Sequence, residues 1–259
     1  MMKPKALILF APGTNRNPDV EIALQLAGAE TETRPLKWLR ESDQDWAQYQ
    51  MLVLPGGFAY ADALGAGKLM AIELSHYFHD QVTAFVEARK PVIGICNGFQ
   101  TLVKAGILPQ GRNGAEPWAT LTFNQSNHFE CRWVTIEPVS KRCIWTQDLD
   151  ALIDCPVAHG EGNFQLSQPE YYTELVENDQ VALVYTRPDG APAQSAYPFN
   201  PNGSYADIAG VCNAYGNVLG LMPHPEDHVL LFQGRDQARR PGYLGLPLFV
   251  NGVRYAQGR

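Results

Sequence analysis

The stretch from Pro91 to Gln100, PVIGICNGFQ, constrains the fold more than any other part of the 259-residue chain. Val92, Ile93 and Ile95 form an apolar run suited to a buried strand, and Asn97-Gly98 breaks it. Thr101 to Ala105 then reads as helical and stops at Gly106. Cys96 therefore stands at a strand-to-helix corner, with Gly94 two residues before it and Gly98 two residues after. This is the spacing of a nucleophile elbow with cysteine in place of serine. A Cβ at either glycine would collide with neighbouring backbone in so tight a turn. The corner points the sulfur at a helix N-terminus, where free N–H groups favour a thiolate and an oxyanion. The competing reading of Cys96 is a small buried hydrophobe, the common fate of a free cysteine. The flanking glycines and the strand-then-helix context weigh against it.

The neighbouring segments supply the sheet this corner needs. Lys5 to Phe10 reads as a first buried strand, and Asn17-Pro18 as an N-cap followed by proline at the first helical position. Glu30 to Leu36 is a second strand, and Met51 to Leu54 a third that runs straight into the glycine loop Pro55-Gly56-Gly57-Phe58. One long helix from Lys68 to Arg89 is expected before the Cys96 strand. That rhythm argues for βαβ units in an open, mostly parallel twisted sheet flanked by helices, with ligands at the carboxyl ends of its strands. From Trp118 to Pro138 shorter alternating segments, such as Phe129 to Ile136, suggest additional antiparallel strands. Val218 to Met222 is a last buried strand ending at Pro223-His224-Pro225-Glu226, and Tyr243 to Tyr255 carries apolar residues at helical spacing. The fold class is α/β. The lack of a repeat or linker favours one domain over residues 1–259. Stretches 107–120 and 233–242 read as loops near the active edge and are candidates for partner contact.

Composition excludes several function classes. Twenty basic against twenty-seven acidic residues give a net charge of −7 without a block of like charge, so no nucleic-acid or membrane surface is expected. The N-terminal apolar run, Ala6 to Ala11, is too short for a signal peptide and ends in Pro12-Gly13. Five widely spaced cysteines without a C-x-x-C motif imply neither a disulfide framework nor a zinc site, and a cytoplasmic setting fits them best. Gly65-Ala66-Gly67-Lys68 fails as a P-loop, since Asp62 stands at the first glycine position and Leu69 at the Ser/Thr position. No metal ligand set is found.

A cysteine nucleophile needs a base and an oxyanion hole. His224 and Glu226, two apart in an extended segment, project to one side and suit an imidazole oriented by a carboxylate. A rival pair of the same spacing, His159 and Glu161, lies in the run HGEG. Spacing does not choose between them. Gly160 and Gly162 suggest a looser binding loop, whereas two prolines brace His224. The oxyanion donors are expected to be the backbone N–H groups of Asn97 and Gly57.

As a set, PGGF at 55–58, GICNGFQ at 94–100 and MPHPE at 222–226 resemble the three signatures of class I, triad-type glutamine amidotransferases. A narrower resemblance, to the glutaminase subunits of phosphoribosylformylglycinamidine synthase, rests on GGFAYAD at 56–62, NQSNHFECRW at 124–133 and AHGEGNF at 158–164. NPNGSYADIAGVCN at 200–213 and GLMPHPED at 220–227 add to it. The resemblance implies a flavodoxin-like sheet and a triad of Cys96, His224 and Glu226, with Gly57 and Asn97 as oxyanion donors. It implies that Gln100 helps to hold glutamine, with Gly56, Phe58 and His128 as further contacts, and that His159 and Glu161 lie in a loop near the site. It also implies no cofactor on this chain: ATP and Mg2+ would belong to a large synthase subunit that receives ammonia, with a small third subunit bridging the two. The sequence departs from the family in two places. GGFSYGD reads GGFAYAD here, and His128 stands where an arginine is expected. The alternatives are a glutaminase subunit serving another pathway, a γ-glutamyl hydrolase, or a non-catalytic module of the same fold.

Overall fold

The computed structural model describes residues 3–42, 46–110, 118–234 and 243–258. The runs KALILF, MLVL and VIGI have few polar side chains to present to water. They become β1 (Lys5–Phe10), β3 (Met51–Leu54) and β4 (Val92–Ile95) in the middle of the sheet, and the last two are buried throughout. The charged run ETETRP instead forms the edge strand β2 (Glu30–Pro35), in which no residue is fully buried. Helix α1 (Asn17–Ala27) buries Val20, Ala23 and Leu24 and closes on Gly28 in the left-handed conformation. Helix α2 (Leu36–Glu41) follows β2.

Two sequence expectations change here. The helix expected over 68–89 is two helices, α3 (Lys68–Tyr77) and α4 (His79–Glu87). They part at Phe78, whose φ of −123° and ψ of 19° leave the helical region while its buried ring stacks on Trp46 at 5.4 Å. Packing, not glycine or proline, makes that break. Nor is Asn17 a cap. Arg16 occupies the N-cap without a side-chain cap bond, its N–H donating to Gly56 O at 3.2 Å, and Asn17 is already helical.

After β4 come α5 (Asn97–Lys104), β5 (Ala119–Thr122), β6 (Glu130–Pro138), β7 (Ile153–His159) and β8 (Asn163–Leu166). The chain continues through α6 (Glu170–Glu177), β9 (Val181–Thr186), β10 (Ile208–Cys212), β11 (Val218–Leu221) and α7 (Leu246–Ala256). Nine strands form one sheet in the order β2-β1-β3-β4-β11-β10-β9-β6-β7, and β5 pairs with β8 in a separate ribbon. The first five in that order are parallel and the remaining pairings antiparallel. The parallel part has the doubly wound order 2-1-3-4-11, and α7 packs on α1.

This order sets up the site. The strands β3, β4 and β11 are neighbours, so the PGGF loop, Cys96 and the MPHPE arm leave one edge of the sheet side by side. Edge strand β7 is at the far end of the hydrogen-bonded order, yet it returns over this edge: His224 N–H donates to Pro156 O at 2.9 Å, and the Cys96 sulfur lies 3.7 Å from Ala158 O. The antiparallel half thus covers the carboxyl edge of the parallel half. Of the stretches read as partner loops, residues 111–117 and 235–242 lie outside the described residues.

Candidate active site

Cys96 ends β4 with φ 50° and ψ −104°, a conformation that costs a residue with a Cβ about 1–3 kcal/mol. It is held there from both sides: its N–H donates to Leu221 O at 2.8 Å and its carbonyl accepts from Gln100 N–H at 3.0 Å. The flanking glycines are required by close approach. A Cβ on Gly94 would stand 2.7 Å from Gly98 O, and one on Gly98 would stand 1.9 Å from Leu54 O. Helix α5 starts at Asn97, directly after Cys96, so Asn97-Gly98 begins the helix instead of separating it from the strand. Its first N–H, on Asn97, has no acceptor within the helix.

The other residue expected to donate to the oxyanion, Gly57, follows the neighbouring strand β3. Gly57 faces Thr14 in an antiparallel bridge, flanked by the bonds Phe58 N–H to Gly13 O and Asn15 N–H to Gly56 O. In that arrangement the Gly57 N–H points away from the Thr14 loop. Its φ of 136°, and the 2.6 Å from an added Cβ to Asn15 N, admit glycine alone. The Asn97 side chain ties the loop to the elbow. Its Oδ1 accepts from Ala59 N–H at 3.1 Å, and its Nδ2 donates to Asp62 Oδ1 at 2.8 Å and Gln100 Oε1 at 3.0 Å. Tyr60, Ala61 and Asp62 in this loop all have φ between 53° and 56°. Ala61 thus takes the left-handed conformation where the family form carries glycine.

The imidazole arm is built differently from the expected extended segment. His224 is followed by a 3-10 turn, Pro225–His228, which folds Glu226 back so that its Oε1 lies 2.7 Å from His224 Nδ1. Both side chains are buried. The carboxylate assigns the proton to Nδ1 and leaves Nε2 for the sulfur. Burial pushes the His224 pKa down, but the charges of Glu226 and Cys96 and hydrogen bonds to both outweigh it, leaving it well above the ordinary histidine value. Gly56, expected to touch glutamine, makes room for this ring: a Cβ there would stand 2.7 Å from His224 Cε1.

The rival pair does not form. His159 Nδ1 lies 3.0 Å from Asn124 Oδ1, and its Nε2 lies 3.4 Å from Asn202 Nδ2. Glu161 turns away to Lys104 at 3.5 Å and to the Ala66 N–H. The HGEG loop is pinned, not loose: Asn124 bonds Gly160 O, His159 O and the Gly162 N–H, and Gln100 Nε2 donates to Glu161 O at 2.7 Å. Burial, with the nearby His224 charge, lowers the His159 pKa to about 3. His159 is a neutral wall residue.

Between these parts lies a cleft lined by Cys96, Gly57, Gln100, His159 and Glu161. Phe58, Phe123 and Phe129 frame it, with Phe58 and Phe129 in ring contact at 6.4 Å. His128 does not line it; its side chain is exposed, while its carbonyl accepts from Asn124 Nδ2. The sequence reading missed Asp62, Asn97 as a side chain, Asn124 and Phe123. Asp62 closes the motif GGFAYAD, Asn97 lies in GICNGFQ, and Asn124 and Phe129 lie in NQSNHFECRW, so those motifs carry the available signal; Phe123 has none.

The geometry has counterparts in known proteins. The model of the CobB/CobQ-like glutamine amidotransferase domain matches residues 3–256. The phosphoribosylformylglycinamidine synthase subunit PurQ of Treponema denticola is 50% identical over 98% of this chain and 99% of its own length. The subunit of the same name from Dehalococcoides mccartyi is 41% identical, with 99% of each chain covered. Among solved structures, a chain of the PurLQS structure from Thermotoga maritima superposes with a TM-score of 0.74 at 30% identity, covering 98% of this chain and 99% of that one. A second Thermotoga maritima glutamine amidotransferase, 15% identical with a TM-score of 0.58, shares the fold.

Proposed function

Because the chain belongs to the CobB/CobQ-like glutamine amidotransferase family, we propose that it is the glutaminase subunit of a phosphoribosylformylglycinamidine synthase. The observation that carries this reading is identity of one residue in two, end to end, with a subunit of that name. The site supplies the chemistry. The Cys96 thiolate attacks the side-chain amide carbon of glutamine, and the oxyanion that develops takes the N–H groups of Gly57 and Asn97. His224, oriented by Glu226, passes its proton to the departing ammonia. A γ-glutamyl thioester remains on Cys96. Water, deprotonated by His224, releases it as glutamate and restores the thiol.

The ammonia goes to a large synthase subunit that uses ATP and Mg2+ to convert formylglycinamide ribonucleotide to formylglycinamidine ribonucleotide, a step of purine biosynthesis. A small subunit bridges the two, in line with the PurLQS assembly of the Thermotoga relative. A cytoplasmic setting suits this role, and none of the described helices is long and apolar enough to cross a membrane.

The test is glutamate release and glutamine-dependent amidation in the complex reconstituted with the synthase subunit. Cys96→Ser is expected to abolish both while amidation from added ammonium salt persists. Robust glutamine hydrolysis by Cys96→Ser would sink the assignment.

A further inference from the structure

The lining of the cleft carries charge. Among the described residues that line it are two carboxylates, Asp62 and Glu161, and no lysine or arginine. His159 adds no positive charge at neutral pH. Glu161 is matched by Lys104 at 3.5 Å and by the Ala66 N–H. Asp62 accepts hydrogen bonds from neutral donors, Asn97 Nδ2 at 2.8 Å and the Gly67 N–H, and shares with Glu161 the charge of the same Lys104. Two acids against one lysine leave one negative charge uncompensated, in the same cleft as the reacting sulfur. A free amino acid attacked at its side-chain amide brings one compact cation, its α-ammonium, and an ammonium supplies three donors to a carboxylate that still has free acceptor positions.

On the premise that the substrate is glutamine, we propose that the Asp62 carboxylate receives the α-ammonium, making Asp62 the residue that selects the free amino acid over amides lacking the α-amine. The loop is built for this. The left-handed residues Tyr60 and Ala61 carry the backbone round to Asp62, and Asn97 clamps the carboxylate from the first turn of α5. Asn97 is also the residue whose N–H serves the oxyanion, so the anchor for one end of glutamine and a donor for the other share one support. Burial and the neighbouring Glu161 charge both push the Asp62 pKa up, so a bound cation would relieve the site on both counts.

The experiment compares L-glutamine with glutaramate, the same amide without the α-amine. Wild-type and Asp62→Asn subunits are assayed in the reconstituted complex, with the acid product, glutamate or glutarate, quantified by chromatography. Asparagine keeps the oxygen that accepts from Asn97. The expected result is a wild-type preference for glutamine of about a hundredfold or more in kcat/KM, reduced at least tenfold in Asp62→Asn. The reduction should arise from a higher KM for glutamine, with glutaramate turnover little changed. Glu161→Gln, whose partner is Lys104, should shift the ratio less. Equal losses on both substrates in Asp62→Asn overturn the proposal, because they place Asp62 in loop support alone. Should that variant not fold, the wild-type enzyme decides: a preference under about tenfold overturns it. Release of neither acid by wild type sinks the glutaminase reading itself, and this assignment with it.

Discussion

Two His-x-Glu pairs of identical spacing lie at this site, and the structure gives them opposite fates. In the first, the prolines around His224 hold a tight turn that returns Glu226 Oε1 to 2.7 Å from Nδ1. In the second, Asn124 takes Nδ1 of His159, and Glu161 is drawn across to Lys104 on α5. Both imidazoles are buried, so both pay the same kind of desolvation. Only His224 has a carboxylate and a thiol to oppose it. Its pKa rises well above the usual value while that of His159 falls to about 3. One ring holds a proton where the other refuses it, and the charge on His224 is itself one reason that His159 stays neutral. What separates a base from a wall residue is therefore the partner that reaches Nδ1, not the spacing of the motif.

The comparison breaks most sharply at the two carboxylates. Glu226→Gln keeps the shape of the turn but removes the charge that sets the His224 tautomer, and kcat for glutamate release is expected to fall about 10^4-fold. Glu161→Gln is expected to change kcat less than about tenfold, because it touches no reacting group. Equal losses in the two variants, measured in the reconstituted complex, would overturn the distinction. A smaller effect is expected at Gly56, where an added methyl would stand 2.7 Å from His224 Cε1. Gly56→Ala should lower kcat about a hundredfold by displacing the ring, with a thermal midpoint close to wild type. If the loss fell on KM alone, Gly56 would be a glutamine contact after all.

The sequence carried the parallel half of the fold and little of the other half's placement. Apolar runs such as MLVL and VIGI have one way to satisfy burial on both faces, and the glycine at 94 answers hard-sphere contacts with Gly98 and Leu102, within ten residues of Cys96. Local patterns of that kind are legible. The spacing of the two His-x-Glu pairs did not say which would close, because the competitor for His159 is Asn124, 35 residues away; it was the prolines and the family motifs that favoured His224. Nor was the return of β7 over Cys96 legible, which brings the last strand of the order to the residues after β4 and β11 through the Ala158 and Pro156 carbonyls. The break at Phe78 has the same origin: its ring finds Trp46, and no helix signal in the segment records that. His128 shows the converse. A motif places the residue near the site, yet only its backbone takes part.

The same contrast should be visible in stability against pH. A histidine whose folded pKa is depressed binds its proton first in the unfolded chain. For His159 the unfolded chain titrates near 6.5 and the folded protein only near 3. The contribution of this group is thus complete above 6.5 and drains away as pH falls toward 3, at up to about 1.4 kcal/mol per pH unit. His224 runs the other way: its contribution is complete below 6.5 and is lost as pH rises through its elevated folded pKa. Denaturant unfolding at pH 5.0, 6.0 and 7.0 (about one pH unit per step) should show that His159→Asn flattens the acid-side slope by up to that amount, whatever its absolute stability. His224→Asn should steepen or preserve it, since the acid side is where the native His224 is fully protonated. An unchanged slope in His159→Asn would mean that the buried ring accepts a proton readily, and the two pairs would then differ in geometry but not in charge.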